Sequence, residues 1–244
     1  MSTSPGECWS PVAGMRAAWL LEYDRDRYPF ARFLREAVFG VEDLEQLHHS
    51  HWIRPGSPVG YHDNLRLRER MQRLPLSCGF YTIYERFVQQ LVVRHFGGRL
   101  SYAQRPKMRV HLAGTGSVSR WHRDADVTGR LEQINLWLPV TDCFAGNTLW
   151  VEDDYDSGRH QPIAVRHGQA LFFDGGLLSH GTVANHTACS RVSFDLRFAA
   201  SSSPPTAMCT HLLGQRPPPR EPEPPIRDRA TNQPQRLSNN NQTQ

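Results

Sequence analysis

The chain has 244 residues, with 28 lysines and arginines against 24 aspartates and glutamates and a net charge of +4. That length suits one sizeable domain or two, and so mild a basic excess, with no lysine or arginine run, argues against a nucleic-acid partner. No stretch approaches the apolar length of a membrane span, Met1 to Gly14 lacks a signal peptide's basic and apolar regions, and the five scattered cysteines without a CxxC pair suggest reduced thiols in a cytoplasmic protein.

Residues 1 to about 100 read as mostly helical. Pro29 suits a first helical turn, and Phe30, Phe33, Leu34 and Val38 follow it at near-helical spacing. Val41 to Trp52 repeats the pattern with Leu44 and Leu47. Phe80 to Phe96 is the strongest helix. Its apolar stripe is Tyr84, Phe87, Val88, Leu91 and Val92, and Gly97-Gly98 ends it. His48, His49, His51 and His62 cluster in sequence but lack an obvious partnering carboxylate, which weighs against a metal site there.

From about Lys107 the period changes from 3.6 to 2. Short runs follow at hairpin intervals: Met108 to Leu112, Gln133 to Val140, Thr148 to Val151, Ile163 to Val165, Ala170 to Phe173, Gly181 to Ala184 and Arg191 to Phe198. Turn residues separate them, among them Gly114-Thr115-Gly116, Ala145-Gly146-Asn147 and Asp174-Gly175-Gly176. Many short strands with such turns predict a sandwich or barrel. The fold class expected is mainly β: a double-stranded β-helix, or jelly roll, over about 105–200, packed against N-terminal helices in one domain, 1–200. Residues 201–244 carry nine of the 18 prolines and little apolar content. They read as a disordered tail.

The chemistry sits in the β region. His122 and Asp124 stand at i, i+2 in Trp121-His122-Arg123-Asp124. In a strand they share a face while Arg123 points away. His180, from another strand, supplies a second imidazole. Two histidines and a carboxylate on one side of an octahedral Fe(II) leave open positions for a cosubstrate, water and dioxygen. Arg191 follows His180 by eleven residues, and Ser193 shares its strand face. A guanidinium fork with a hydroxyl suits a carboxylate, and the guest expected is the distal carboxylate of 2-oxoglutarate.

Alternation extends the reading. Gln133, Asn135 and Trp137 share the face expected to line a cavity, where Asn135 is placed to hydrogen-bond the cosubstrate or a ligand carboxylate. Arg109, His111 and Trp137 are candidate substrate contacts. Trp121 and Trp137 are also the kind of residue that packs a core. Glu152, Asp153, Asp154 and Asp156 form an acidic cluster, ordinarily a solvated loop, which would attract a cationic substrate if it lay at the barrel mouth.

Several runs carry a resemblance. They are Trp121 to Asp126, Gln133 to Asp142, Asn147 to Glu152, Gly168 to Phe173, His180 to Val183 and Arg191 to Ser193. Together they resemble the Fe(II)/2-oxoglutarate oxygenases, and within them the streptomycin-biosynthesis StrG-like branch of the phytanoyl-CoA dioxygenase-type group, over roughly residues 105–200. The resemblance implies His122, Asp124 and His180 as iron ligands and Arg191, with Ser193, as the 2-oxoglutarate anchor. It implies dioxygen as co-substrate, ascorbate as an in vitro reductant, and a sugar or aminocyclitol-type small molecule from antibiotic biosynthesis as substrate. Iron halogenases of this type replace the carboxylate with a small residue, so Asp124 implies hydroxylation, oxidative cyclisation or desaturation. The alternatives are a peptidyl or small-acid hydroxylase, a non-catalytic metal-binding cupin-like protein and a zinc hydrolase. The second has no use for Arg191 and Ser193. The third lacks a general-base glutamate at a recognisable spacing.

Overall fold

Side-chain alternation along one long strand organises the molecule. In the computed structural model, which describes residues 9–96 and 99–200, that strand is β10 (Arg191–Ala200). Phe194, Leu196 and Phe198 point to one side of it, and Arg191, Ser193, Asp195 and Arg197 to the other. The first set is buried under helices. Phe194 meets Phe30 and Phe80 at ring-centroid distances of 4.9 and 5.4 Å, and Phe96 lies 5.0 Å from Phe198 and 4.8 Å from Phe172.

The elements run β1 (Trp9–Pro11), β2 (Ala18–Glu22), α1 (Phe30–Phe33), α2 (Tyr61–Gln72), α3 (Gly79–Phe87), α4 (Val93–Phe96), β3 (Leu100–Tyr102), β4 (Lys107–His111), α5 (Asp124–Thr128), β5 (Ile134–Pro139), β6 (Trp150–Glu152), β7 (His160–Pro162), β8 (Gln169–Phe173), β9 (His180–Gly181) and then β10. Wider π-helical turns extend α1 through Leu34–Phe39 and join α3 to α4 through Val88–Val92. Seven strands make an antiparallel sheet in the order β1-β2-β8-β5-β10-β3, with β4 also paired to β10. A second sheet is β7-β6-β9. His122 extends it by an antiparallel bridge to His180. The protein is thus mostly antiparallel sheet with helices against one face.

The strong helix expected over Phe80–Phe96 is present as α3 through α4. Its expected terminator, Gly97-Gly98, lies outside the described residues, as do Cys8, Cys209 and the tail 201–244. Cys78, Cys143 and Cys189 are free thiols. Two expectations for the N-terminal third change. Val41 to Trp52 forms only the short turn Leu47–His49, and β1 pairs with β2, which pairs onto β8 at the edge of the main sheet. The run Ala18–Glu22 lacks polar alternation because both its faces are covered, so periodicity does not expose it. Helix α2 fits the mostly helical reading of the first hundred residues, but it is mostly polar, and only Asn64, Leu67 and Met71 are buried, so no apolar stripe marks its bounds. No helix among the described residues is long and apolar enough to cross a membrane.

Candidate metal centre

His122, Asp124 and His180 converge. One ligand atom from each lies within 4.8 Å of the others, and the two imidazole centroids are 4.4 Å apart. The local route differs from the expected strand. His122 is a bridge residue paired with His180, Arg123 is extended, and Asp124 opens the short helix α5. Two backbone bonds hold this arrangement: the His180 N–H donates to the His122 carbonyl at 2.9 Å, and the Asp124 N–H to the Gly175 carbonyl at 2.9 Å. Gly175 is needed there, because a Cβ at that position would overlap the Asn135 side-chain amide.

The histidines are set as ligands. Nδ1 of His122 lies 2.8 Å from the Arg120 carbonyl, and Nδ1 of His180 lies 3.0 Å from the Leu178 carbonyl. Each Nδ1–H therefore donates to a backbone oxygen, which leaves the Nε2 lone pair for a cation. Burial, opposed by that backbone bond, lowers the His180 pKa to about 4, so the ring is neutral at pH 7. Burial alone would raise the Asp124 pKa. The His122 and Asn135 hydrogen bonds and the Arg197 charge reverse this and hold it well below the usual carboxylate range. Asn135 donates to Asp124 Oδ2 at 2.7 Å, and Arg197 pairs with Oδ1. The hydrogen bond to Asp124, opposed by burial, raises the His122 pKa, so a metal would take the place of a proton on that ring. Two imidazoles and one carboxylate held ionised fit a divalent metal that takes mixed nitrogen and oxygen donors.

The wall of the same cavity carries Arg109, Asn135, Trp137, Arg191, Asp195 and Arg197. Arg191 is 1% exposed. One of its nitrogens donates to the Asn147 carbonyl at 3.0 Å, and its Cζ lies 5.6 Å from the Trp137 ring centroid. Among the described residues its Nε has no hydrogen-bond partner, nor does the buried Ser193 hydroxyl. No carboxylate lies within salt-bridge distance of Arg191 among the described residues. Burial lowers the Arg191 pKa to about 10, which still leaves it a cation. A buried cation beside an unsatisfied hydroxyl fits an incoming carboxylate, because an unpaired buried charge is costly.

Sequence reasoning placed Asn135, Trp137 and Arg109 on the cavity face, and they line it. His111 does not. It is fully buried, its Nε2 donates to the Gly116 carbonyl at 3.0 Å, and it stands behind Arg191 in the β4–β10 register. Trp121 is 46% exposed and stacks on His160 rather than packing in the core. The acidic cluster is consumed locally. Glu152 accepts from the Gly158 and Ser179 N–H groups and pairs with Arg123, Asp156 pairs with Arg123, and Asp153 pairs with Arg159. None of these carboxylates lines the cavity. His48 bonds to the Ser190 hydroxyl at 2.9 Å, and the described residues bring no second metal-ligating group together. Arg197 and Asp195 were missed, although the alternation that pairs Arg191 with Ser193 continues to both.

Comparison with known proteins places this geometry. No protein-family model matches the chain. Among solved structures, AviO1 from Streptomyces viridochromogenes Tue57 superposes with a TM-score of 0.51 at 13% identity, covering 84% of this chain and 99% of that one, which is a likeness of fold. A non-heme monooxygenase, the ThoJ–Ni complex, has a TM-score of 0.42 at 20% identity, and the match spans 52% of this chain and 57% of that one. The streptomycin biosynthesis protein StrG of Streptomyces griseus is 35% identical over 189 residues, which are 75% of this chain and 85% of StrG. The similarity extends over most of both sequences, and the chain belongs to the StrG family.

Proposed function

We propose that this chain is a non-haem Fe(II)/2-oxoglutarate-dependent oxygenase that hydroxylates, or oxidatively cyclises, a small sugar- or aminocyclitol-type natural product in antibiotic biosynthesis. Its residues up to 200 form one oxygenase domain on a double-stranded β-helix. The observation that carries the reading is Arg191: a buried cation with an unsatisfied Nε, beside the unsatisfied Ser193 hydroxyl, on the wall that also holds His122, Asp124 and His180. A metal-binding scaffold or a zinc hydrolase would have no use for that pair.

His122, Asp124 and His180 would hold Fe(II) and leave its other positions open. Arg191 and Ser193 would take the distal carboxylate of 2-oxoglutarate, the guanidinium as a fork and the hydroxyl as a third donor. Bound Fe(II) and 2-oxoglutarate supply the oxidising chemistry, with succinate and carbon dioxide as co-products. The remaining work belongs to the protein. Asn135 and Arg197 fix the Asp124 carboxylate, the two backbone carbonyls fix the imidazole tautomers, and Leu149 and Phe173 keep bulk water from the cavity. The relative's role in streptomycin biosynthesis supports the substrate class.

The test is anaerobic titration of the metal-free protein with Fe(II) and then 2-oxoglutarate. The expected result is the weak visible charge-transfer band of the chelate, absent in His122→Ala and weakened in Arg191→Ala. Folded wild-type protein that binds iron and gives no band would refute the reading.

A further inference from the structure

A second, larger basin of about 420 Å³ adjoins the metal cavity, and the two share Asp195 and Arg197 in their walls. That volume lies within the range of small-molecule sites, about 300–1,000 Å³. The basin's charge is unbalanced. Arg197 is committed to Asp124, and Arg105 donates to the Leu74 carbonyl at 2.8 Å. Lys107 and Arg130 also line the basin, and Arg109 lines the inner cavity beside it. Among the described residues no carboxylate lies within salt-bridge distance of any of these three. The one contact of the Arg109 guanidinium is a 3.4 Å bond to the Met108 carbonyl. Asp195, opposite Lys107 in the β4–β10 register, is the one carboxylate among the described residues that lines the basin. A carbonyl does not cancel the Arg105 charge, so Arg105, Lys107 and Arg130 against Asp195 leave about two positive charges in the basin, and Arg109 adds to them from the inner cavity. The distal carboxylate of 2-oxoglutarate does not meet that excess, because Arg191 and Ser193 take it in the inner cavity.

We infer that the basin receives a phosphate monoester on the primary substrate, held by Lys107, Arg109 and Arg130 while the rest of the molecule reaches toward His122, Asp124 and His180. A phosphate monoester carries about −1.5 to −2 charges at pH 7 and offers three acceptor oxygens, which matches both the excess and the spread of donors. The acidic loop that would favour a cationic substrate is tied up in its own pairs and faces elsewhere. The inference rests on the oxygenase reading for the inner cavity, and its test is separable from that reading.

The full chain, with and without Fe(II) and 2-oxoglutarate under anaerobic conditions, is titrated calorimetrically with glucose, glucuronate and glucose 6-phosphate, and with inorganic phosphate as competitor. The expected result is binding of glucose 6-phosphate at least about tenfold tighter than of either other sugar, a gap of 1.4 kcal/mol. Inorganic phosphate should displace it. Lys107→Ala/Arg130→Ala, at two exposed positions that leave the core intact, should abolish the preference, and Arg54→Ala, outside the basin, should retain it. Equal binding of the three sugars, a carboxylate as good as the phosphate, or a preference that survives the double substitution would overturn the inference. A normal charge-transfer band without phosphate preference would strike this inference alone. Phosphate preference without the band would strike the oxygenase reading alone.

Discussion

Asp124 shows what a single side chain requires here. Its carboxylate is 1% exposed and survives as an anion because Asn135, Arg197 and His122 all address it. Asn135→Ala should therefore weaken metal binding by about 10–100-fold, as loss of a partner behind a metal ligand generally does, measured by Fe(II) or Mn(II) titration. Arg197→Ala should act differently. Without metal it leaves a buried carboxylate short of a cation, at a cost of about 3 kcal/mol. A divalent metal would supply the missing charge. The gap in melting temperature between metal-free and metal-loaded protein should widen in the variant. His111 provides a pH signature away from the ligands. Burial, with repulsion from Arg191 second, lowers its pKa from 6.5 to about 3. Below pH 6.5 the unfolded chain takes up a proton that the folded one refuses. Stability should thus fall as pH drops from about 6.5 toward 3, and His111→Gln should flatten that slope in urea titrations.

At the scale of one element, β10 divides its labour by alternation. Phe194→Ala opens a cavity among Phe30, Phe80 and Tyr84 and should cost about 3–5 kcal/mol of stability. Ser193→Ala, one residue earlier on the opposite face, removes a hydroxyl that has no partner. It should leave the melting temperature almost unchanged while raising the KM for 2-oxoglutarate about fivefold, the worth of one hydrogen bond. The loop around Gly175 is the corresponding element for the metal. Gly175→Ala would push against Asn135, so its effect on metal affinity should resemble that of Asn135→Ala. Equal losses of stability from Phe194→Ala and Ser193→Ala would contradict this division.

Across the whole molecule, the proposed metal would tie the small sheet to the large one. His180 belongs to β9, and Asp124 is anchored to β5 through Asn135. Binding of a divalent metal should slow amide exchange in β9 and around residues 121–128, and leave the strands buried under the helices, such as β8, little changed. Uniform protection across both sheets would argue against a bridging site.

The sequence by itself determined the chemistry. His122 and Asp124 two apart, His180, and Arg191 with Ser193 are residue types whose donor atoms define what they can bind. The period-2 runs put Asn135, Trp137 and Arg109 on the cavity face, because strand geometry fixes sidedness locally. What only the tertiary structure decided is who meets whom across elements. His111 has the correct parity yet is sealed behind Arg191, since parity gives a face and not a depth. Three of the four carboxylates in the acidic cluster pair with Arg123 and Arg159, pairings that depend on how a loop folds back. Strand β2 joins the sheet through a partner about 150 residues away, and a run covered on both sides carries no periodic signal. Arg197 reaches Asp124 across 73 residues of sequence, a contact that no local pattern encodes.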